Sequence, residues 1–461
     1  MLYSSTRGND QSVNFVDVLL KGLANDGGLF VPDNFPRFSE EEILEMQSLK
    51  YFELVYTVTK EFVEPEIPNI DYLEICKKSY QYFSSSEVIS TTKISENEFL
   101  LNLYNGPTFA FKDFALQLLG NIYSYILQKT KTNLTIIGAT SGDTGSAAIY
   151  GCSNSDLIKM FILFPLGKVS EIQRRQMTTF KKSNVFNIAV KGDFDQCQSL
   201  VKEMFNLNSK KKKYNLAAVN SINWVRILGQ IVYYFWSYLN CASKGEKLNF
   251  SVPTGNFGNV YAGFIAKKMG LPINKLIVAS NFNDVLTRFF ETGIMEKKST
   301  LKTLSPSMDI QISSNFERLL YDFYKNDSKT INQFYISLNK SGKFKLKKAL
   351  LEKILKEFKG GRLSDSETME TIQEIYANKK IIIDPHTAVG LSVGRKIRKK
   401  EEKTVYISTA HPGKFLDTIN NSLKINFDLP ETLKKMLKKD EKFEIIENDI
   451  IELSNFIDKR I

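Results

Sequence analysis

The stretch TIIGATSGDTGSAA, from Thr135 to Ala148, joins an apolar run that ends at Gly138 to small and hydroxyl residues and then to a helix-forming segment. The same alternation continues along the chain. Further β-rich runs are KMFILFP, VFNIAV, LNFSVP, KLIVAS and TVYIST, and the helical segments include TGSAAIYGC and GNVYAGFIAKKMG. Strands that alternate with helices in this way are typical of parallel sheets covered by helices. The sequence therefore predicts an α/β fold.

Ligands of open α/β sheets bind beyond the carboxyl ends of the strands, so three unusual strand ends of this chain are candidate sites. At the first, Ser141, Gly142, Asp143 and Thr144 place backbone N–H groups and hydroxyls at the start of a helix. Such a helix start can hold a carboxylate or a phosphate. Ordinary capping of the helix by Ser, Asp or Thr explains the same residues equally well.

The second strand end is SVPTGNFGNVYAG, from Ser251 to Gly263. Gly255 and Gly258 permit positive φ and close approach of the backbone, and the amides from Gly255 to Asn259 can converge on a dianion at the next helix start. The stretch is neither a Walker A loop nor a GxGxxG motif, and it lacks the P-loop lysine, so a nucleoside triphosphate is not expected. A glycine-rich turn without a ligand is the structural alternative.

The third strand end, VYISTAHPGKF (Val405–Phe415), contains Ser408, Thr409 and one of the chain's two histidines, His411. The other, His386, lies in IIIDPHTAVG, and both histidines are next to a proline just beyond an apolar run. A single histidine is more often structural than catalytic, but the matching contexts favour a place near the site. Neither histidine has the spacing of a metal-binding pair, so no metal site is predicted.

One lysine stands in an apolar setting, in NGPTFAFKDFALQ (Asn105–Gln117), where Phe109, Phe111 and Phe114 surround Lys112. A buried lysine has a lowered pKa, and its neutral amine is a nucleophile suited to a Schiff base. A carbonyl cofactor with its own phosphate would need this lysine together with a glycine-rich anion loop, and pyridoxal phosphate is such a cofactor. A lysine whose stem packs against phenylalanines while its charge reaches solvent is the alternative.

Composition bounds the other classes of protein. The chain has 461 residues, too many for one core, so two or three domains are expected. It begins with the polar MLYSSTRGNDQS, so no secretory leader is expected, and its longest apolar run, IVYYFWSYL, is too short to span a membrane. The four cysteines are far apart, which argues against a zinc site or disulfides and favours a cytoplasmic location.

The net charge of +11 requires a nucleic-acid role to be weighed. The lysines are nevertheless spread along the chain, as in KFKLKKALLEKILKEFKGG (Lys343–Gly361), which is predicted to be an exposed amphipathic helix ending at Gly360 and Gly361. The tight basic cluster SKKKKY (Ser209–Tyr214) is predicted to be a loop. Charge runs usually form solvated faces, so no nucleic-acid partner is expected.

Several of these motifs together resemble the threonine synthase family, in its bacterial and fungal branch. The resemblance rests on NGPTFAFKDFALQ, GATSGDTGSAA, VPTGNFGNVYAG, DPHTAVG and STAHPGKF, in the order of the family, and on STRGNDQSVNFVDVLLKGLANDGGLFVPDNFP, KGDFDQCQSLV and NSINWVRILGQ. It covers nearly the whole chain. It implies a pyridoxal-phosphate enzyme with the fold type of the tryptophan synthase β subunit, in which two parallel-sheet α/β domains enclose the cofactor.

The change along the sequence from mostly helical segments to alternating strands and helices, together with this resemblance, predicts three parts of the chain. Residues 1–95 are expected to be a mainly helical N-terminal region. Residues 96–230 are expected to form a smaller α/β domain with Lys112 and the loop for the substrate carboxylate. Residues 231–461 are expected to form a larger α/β domain with the cofactor-phosphate loop, including a helical insertion at about residues 300–375.

Residue by residue, the resemblance implies a site. Lys112 matches the lysine that forms the Schiff base with the cofactor, and Thr409 matches the hydroxyl residue beside its pyridine nitrogen. Asp143 matches a position that in some relatives is an asparagine bonded to the phenolic oxygen of the cofactor. The cofactor phosphate is expected at Gly255, Asn256, Phe257, Gly258 and Asn259. The substrate is expected at Ser141 and Thr144 for its carboxylate, and at Ser221, Asn223, Arg226 and Lys168 for its phosphate.

The implied reaction converts O-phospho-L-homoserine and water into L-threonine and phosphate, by γ-elimination followed by β-hydration. Lys112, once released from the cofactor, is the simplest base for moving protons at Cα and Cβ. The enzyme is expected to be a monomer or a homodimer. Two alternatives stay open: a phospho-lyase or dehydratase on the same fold, which would form a 2-oxo acid, and a non-catalytic binding protein that kept the fold.

Overall fold

The computed structural model describes residues 1–83, 87–211 and 213–461 and confirms the predicted α/β fold. The strands are β1 (Tyr3–Ser5), β2 (Phe30–Pro32), β3 (Ser90–Ser95), β4 (Glu98–Asn102), β5 (Leu134–Ala139), β6 (Ile158–Pro165), β7 (Val185–Val190), β8 (Leu216–Ala217), β9 (Leu248–Pro253), β10 (Ile273–Ser280), β11 (Ile294–Glu296), β12 (Lys343–Lys345), β13 (Phe358–Arg362), β14 (Thr404–Ser408) and β15 (Glu444–Ile446).

Helices cover both main sheets and are the commonest regular structure of the N-terminal region. They are α1 (Phe15–Lys21), α2 (Glu40–Glu45), α3 (Tyr51–Val63), α4 (Asn69–Tyr80), α5 (Lys112–Thr130), α6 (Asp143–Cys152), α7 (Glu171–Thr178), α8 (Phe194–Lys211), α9 (Trp224–Cys241), α10 (Gly258–Lys268), α11 (Val285–Thr292), α12 (Phe316–Phe323), α13 (Ser328–Ser341), α14 (Lys348–Glu357), α15 (Asp365–Lys379), α16 (Pro385–Ile397), α17 (Leu416–Leu423), α18 (Glu431–Leu437) and α19 (Ile450–Asp458). Short 3-10 helices occupy Met46–Ser48, Pro306–Met308 and Pro412–Phe415.

The larger sheet has six strands in the order β13-β10-β9-β14-β4-β3. Neighbouring strands run parallel, except for the antiparallel pair β3 and β4 at one edge. Every residue of β9 and of β14 is buried. Helices cover both faces of these central strands, so even their polar residues, such as Asn249 and Ser251, are buried.

The smaller sheet has five strands in the order β15-β7-β6-β5-β8, and all of its pairs are parallel. Strand β5 ends at Ala139 and α6 begins at Asp143, so the residues between them lie at the carboxyl edge of this sheet. In the larger sheet, the residues that follow β9 and β14 lie at the corresponding edge. The sites predicted at strand ends therefore lie at the carboxyl edges of the two sheets.

The chain passes between the two sheets more than once. Strand β4 belongs to the six-stranded sheet, although it precedes the strands β5 to β8 of the smaller sheet, and β15 near the C-terminus joins the smaller sheet. The predicted segments 96–230 and 231–461 therefore do not coincide with the two sheets. Sheet membership depends on backbone pairing between distant segments, and local sequence texture does not encode it.

Helices α5 and α6 cross at a very short distance because both carry glycine at the crossing. A Cβ atom on Gly120 of α5 would lie 1.9 Å from the carbonyl oxygen of Gly151 in α6, and one on Gly151 would lie 2.3 Å from the carbonyl oxygen of Leu116. Only glycine allows backbones to approach this closely. The crossing sets the relative position of the two helix starts, which are Lys112 and Asp143.

The lysine-rich segment predicted as one helix through Gly361 is different in the structure. Helix α14 ends at Glu357, and the two glycines lie in β13 at the edge of the larger sheet. Phe358 is fully buried, and a Cβ atom on Gly360 would lie 2.7 Å from the ring of Phe290. The glycines allow close packing of an edge strand and do not end a helix.

The structure also differs from two further predictions, those for the loop at Ser209–Tyr214 and for the insertion at about residues 300–375. The predicted loop at Ser209–Tyr214 begins as the last turn of α8, which extends to Lys211, while Lys212 lies outside the described residues. The predicted insertion at about residues 300–375 contains α12 to α15 but also supplies β13 to the larger sheet. No helix in the described part of the chain is both long and apolar enough to cross a membrane.

Candidate active site

The turn that carries Lys112 lies against the end of β14. The N–H of Phe111 donates a hydrogen bond of 2.8 Å to the carbonyl of Thr409, a buried residue that directly follows this strand. Strands β9 and β14 are neighbours in the larger sheet, so the loops that follow them leave the same edge. An ion pair between Lys112 and Asp143 joins this edge to the loop after β5. Motifs that are distant in the sequence thus form one site.

Lys112 is the first residue of α5, and its side chain is 12% exposed. Its Nζ lies 3.4 Å from Oδ2 of Asp143 and 5.0 Å from the centre of the Phe111 ring. Burial lowers the pKa of Lys112 against the attraction of Asp143, and the positive charges of Lys414 and Arg226 lower it further. An amine that loses its proton more easily is a nucleophile and a base.

Asp143 is the first residue of α6 and is buried between two lysines. Its Oδ1 lies 2.8 Å from Nζ of Lys414 and accepts a hydrogen bond of 2.9 Å from Nε2 of Gln173. Its Oδ2 faces Lys112 and accepts a longer hydrogen bond, 3.5 Å, from the hydroxyl of Ser307. Burial alone would raise the pKa of Asp143, but Lys414 and Lys112 hold it far below its usual value. The carboxylate is therefore ionised at neutral pH.

The residues Ser141–Thr144, called here the Asp143 loop, present backbone donors at the start of α6. Within the described chain, the N–H groups of Ser141, Asp143 and Thr144 donate to no other group. Gly142 has a φ of 150°, and the hydroxyl of Thr140 accepts a hydrogen bond of 3.0 Å from its N–H, which fixes the turn. Ser141 is exposed and Thr144 is half-buried, so neither predicted substrate side chain is shut off from the site.

The residues Gly255–Asn259, called here the glycine loop, connect β9 to α10. Their N–H groups donate to no other group of the described residues, and α10 begins at Gly258. Phe257 has a φ of 61°, and its buried ring lies 5.1 Å from the ring of Phe316, centre to centre. A bulky residue adopts positive φ only where its surroundings hold it there. Unpaired N–H groups at a helix start bind anions such as phosphate.

The segment before α12 holds the glycine loop in place. The hydroxyl of Ser313 donates a hydrogen bond of 2.7 Å to the carbonyl of Gly255. Nδ2 of Asn315 donates to the carbonyl of Asn256 at 3.0 Å and to the carbonyl of Ser221 at 3.1 Å. Asn315 thereby joins the glycine loop to the segment that leads into α9.

Arg226 lies in the first turn of α9 and is buried. Its Nη1 donates a hydrogen bond of 2.7 Å to the carbonyl of Val219, and its Nε has no hydrogen-bond partner among the described residues. Burial lowers the pKa of Arg226 to about 10, so its guanidinium is still charged at neutral pH. A buried cation with an unpaired N–H is suited to bind an anion.

The other residues predicted for the substrate phosphate have different surroundings. Asn223 is fully buried; its Oδ1 accepts a hydrogen bond from the N–H of Val225, and its Nδ2 donates to the carbonyl of Leu19. The polar groups of Asn223 are therefore used within the protein, as a cap of α9. Ser221 is half-buried beside α9, and Lys168 is exposed in the loop after β6.

Both histidines hold turns around the site. Nδ1 of His386 lies 2.9 Å from Oδ1 of Asp384, and its Nε2 accepts a hydrogen bond of 3.3 Å from the N–H of Ser307, which assigns its proton to Nδ1. Nδ1 of His411 accepts a hydrogen bond of 3.1 Å from the N–H of Gly413. Burial lowers the pKa of His411 to about 4, so this ring is neutral at neutral pH.

Three residues contact the site although the sequence did not mark them. Lys414 is fully buried, and its Nζ contacts Asp143 and the carbonyl of Thr108. It stands in STAHPGKF at the end of β14, a motif in which the sequence marked Thr409 and His411 but not this lysine. Gln173 and Asn315 have no local feature that separates them from other polar residues, because their partners are distant in the sequence.

Comparison with known proteins decides the family. The family model for the threonine synthase N terminus matches residues 2–80, the model for pyridoxal-phosphate dependent enzymes matches residues 90–335, and the threonine synthase C-terminal model matches residues 387–457. The threonine synthase of Pseudomonas aeruginosa is 43% identical over 459 residues, which cover 99% of this chain and 98% of that protein. The chain belongs to the threonine synthase family.

Further relatives agree in sequence and in structure. The threonine synthase of Saccharomyces cerevisiae is 42% identical over 494 residues, with 98% of this chain and 96% of that protein covered. The crystal structure of threonine synthase from Brucella melitensis with bound pyridoxal phosphate has a TM-score of 0.97 and 41% identity, and covers 100% of this chain and 99% of its own. The predicted family, threonine synthase activity and pyridoxal phosphate cofactor are confirmed.

The residues of the site fit the cofactor of the threonine synthase family. Lys112 offers an amine with a lowered pKa to its carbonyl, and the glycine loop offers unpaired N–H groups to its phosphate. Asn259 adds a buried Nδ2 that has no hydrogen-bond partner among the described residues. Among all the described residues, no three His, Cys, Asp or Glu side chains come together in a way that could hold a metal ion.

Proposed function

We propose that the substrate of this enzyme is O-phospho-L-homoserine, which it converts with water into L-threonine and phosphate. The observation that carries the proposal is the set of three unpaired anion-binding features around Lys112: the Asp143 loop, the glycine loop and Arg226. The reaction brings three anions together, namely the carboxylate and the phosphate of the substrate and the phosphate of the cofactor. The number and kind of the features match these anions.

Lys112, the glycine loop and Thr409 would hold the cofactor. Bound pyridoxal phosphate supplies an electron sink for carbanions formed next to the substrate amino group. Thr409 offers a neutral hydroxyl, which cannot hold a positive charge on the pyridine nitrogen as a carboxylate would. Asp143 would help to hold the cofactor as an ionised carboxylate, with its charge offset by Lys414, whose Nζ lies 2.8 Å from its Oδ1.

Lys112 would move the protons of the reaction. Burial lowers the pKa of Lys112, so its amine gives up a proton more easily and can act as a base at Cα and then at Cβ. The N–H groups of the Asp143 loop would bind the substrate carboxylate and so orient the Cα–H bond toward this amine. Arg226 would bind the substrate phosphate and stabilise the charge that develops as phosphate leaves. Asn223 would act indirectly, by capping the helix that carries Arg226.

The proposal includes the predicted cytoplasmic location and a monomer or a homodimer. The four cysteines are free and buried, which suits a reducing compartment. Light scattering on the purified protein measures its mass in solution and distinguishes one chain of 52.7 kDa from two.

The test compares the wild type with Arg226→Gln and with a control, Arg37→Gln, at an exposed position. Wild type and control should release phosphate and threonine in equal amounts from O-phospho-L-homoserine. Arg226→Gln should raise KM for this substrate by about 10- to 100-fold, because a buried charged contact contributes about 1.5–3 kcal/mol. Phosphate together with a 2-oxo acid would indicate the phospho-lyase. No turnover by the cofactor-loaded wild type would contradict the proposed substrate.

A further inference from the structure

Lys414 is a second buried lysine of the site, and the proposed reaction gives it no role toward Lys112. The turn Pro412–Phe415 after β14 contributes it, and its side chain is 0% exposed. Its Nζ lies 2.8 Å from Oδ1 of Asp143 and donates a hydrogen bond of 2.7 Å to the carbonyl of Thr108. Burial of an ammonium group is costly unless the charge is paired and hydrogen-bonded. The two contacts together satisfy this requirement.

Both contacts of Lys414 bear on Lys112. Thr108 lies in the turn that leads to Lys112, and its N–H and hydroxyl donate hydrogen bonds of 2.8 Å and 2.7 Å to Asp113. The carbonyl of Thr108 also accepts a hydrogen bond of 2.9 Å from Nε2 of Gln176. Lys414 and Gln176 therefore fix this turn from one side, and Asp113 fixes it from within.

Because of the second contact, the two oxygens of the Asp143 carboxylate have different partners. Lys414 and Gln173 occupy Oδ1, which leaves Oδ2 to Lys112 and to the weaker bond from Ser307. Among the described residues, Lys112 and Lys414 are the ion-pair partners of this carboxylate. Without Lys414, the full charge of Asp143 would be directed at Lys112.

We propose that Lys414 is a positioning residue that fixes the Asp143 carboxylate and favours the neutral, reactive form of the Lys112 amine. This inference rests on the proposed role of Lys112 as nucleophile and base. The charged groups that face Lys112 are Asp143 on α6, Arg226 on α9 and Lys414 after β14. The titratable groups that face Lys414 are Asp143, Asp113, His411 and Lys112, of which His411 is neutral at neutral pH.

The sign of the effect follows from these charges. Burial lowers the pKa of Lys112, Asp143 opposes this, and Lys414 and Arg226 add to it. Removal of Lys414 takes away one positive charge and leaves Asp143 to Lys112 alone. Both changes favour the protonated amine, so the pKa of Lys112 should rise, and the neutral amine should form only at higher pH.

The test measures covalent capture of pyridoxal phosphate by the apoenzyme, with no amino-acid substrate present. Apoenzyme and cofactor are mixed between about pH 6 and about pH 10. Borohydride then fixes the bond, and mass spectrometry measures the fraction of the Lys112 peptide that carries the label. Lys414→Met should move the midpoint of capture upward by about one pH unit, which is about tenfold less neutral amine at a given pH below it.

Two controls are matched to this variant. Lys414→Arg keeps the positive charge and should keep the midpoint of the wild type. Lys435→Met removes an exposed lysine of α18 and should change nothing. A folded Lys414→Met variant with the midpoint of the wild type would overturn the proposal, even if its kcat falls, because a merely structural role would not move the midpoint.

A second pair of variants decides the question if Lys414→Met does not fold. Asp143→Asn with Lys414→Met removes both charges, so neither partner of this ion pair is left as an unpaired buried charge. Its midpoint should lie above that of Asp143→Asn alone, because the charge of Lys414 is missing, and equal midpoints would overturn the proposal. Since O-phospho-L-homoserine is absent from this assay, failure here leaves the proposed substrate standing, and failure of the proposed substrate leaves this result standing.

Discussion

The Asp143 loop and the glycine loop occupy equivalent places, each between a parallel strand and the start of a helix. Both present unpaired N–H groups. Their surroundings differ. The Asp143 loop contains an ionised carboxylate between Lys112 and Lys414. The glycine loop contains no ionisable side chain and is fixed by neutral hydrogen bonds from Ser313 and Asn315.

This difference in charge suits the two loops to different tasks: the glycine loop to holding an anion, and the surroundings of the Asp143 loop to moving a proton. A phosphate that remains bound needs only fixed dipoles, and a rigid helix start supplies these at any pH. Proton transfer needs groups whose charge can change, and burial beside other charges adjusts when they do so. We therefore expect changes in the glycine loop to alter cofactor affinity, and changes around the Asp143 loop to alter pH dependence.

The largest expected effect comes from Lys112→Ala, which separates the two tasks completely. Threonine formation should fall by at least about 10³-fold, because the proposed nucleophile and base are lost together. The glycine loop is unchanged, so equilibrium dialysis should still detect non-covalent binding of pyridoxal phosphate. Loss of all cofactor binding in a folded variant would show that the glycine loop does not hold the phosphate independently.

Gly255→Ala should be next in size. A Cβ atom on Gly255 would lie 2.8 Å from the carbonyl oxygen of Ser307, so the loop has to shift. The Kd for pyridoxal phosphate should rise by about 10- to 100-fold, which corresponds to about 1–3 kcal/mol of strain. Gly138→Ala is a suitable control, since its nearest neighbour would be 4.0 Å away. If Gly255→Ala shifted the pH profile and kept its affinity for pyridoxal phosphate, the proposed division of tasks between the two loops would be wrong.

Asn315→Ala should weaken cofactor binding by the glycine loop, because Asn315 lies outside the loop and holds it in place. The variant loses the side-chain hydrogen bonds to the carbonyls of Asn256 and Ser221. The Kd for the cofactor should rise by about tenfold, as expected for the loss of buried hydrogen bonds. Fluorescence titration at two pH values should give the same ratio to wild type at both, and Asn455→Ala, at an exposed position of α19, should match the wild type.

Asp143→Asn should have the smallest effect, and of opposite sign to that of Lys414→Met. The carboxylate of Asp143 raises the pKa of Lys112, so its removal should lower that pKa further. Covalent capture of the cofactor by the apoenzyme should then move to lower pH, by about half a unit to one unit. An upward shift would mean that Asp143 does not stabilise the protonated amine.

The parts of this site that carry local patterns could be predicted from the sequence. An apolar run followed by glycine and hydroxyl residues indicates a strand-to-helix turn wherever it occurs, and this located the Asp143 loop and the glycine loop. A lysine among phenylalanines indicated burial at Lys112, and the structure places that side chain at 12% exposure. These features depend on neighbours in the chain.

The contacts between distant segments could not be predicted in this way. Asn315 matters because it meets Ser221, and Lys414 because it meets Asp143, and neither pairing has a local pattern. Asn223 is the opposite case: it lies in a motif predicted to bind the substrate phosphate, but its polar groups bond within the protein and cap a helix. The resemblance to a family supplied roles for residues, but the geometry distinguishes side chains that face the site from those that support it.

The position of β14 in the larger sheet has a consequence for synthesis of the chain on the ribosome. Among the described strands, the hairpin of β3 and β4 is attached to the rest of that sheet only through β14, which comes much later in the chain than β4. Until β14 emerges, β4 presents an unpaired edge that can associate with other nascent chains. The hairpin can therefore join the larger sheet only once β14 has been made.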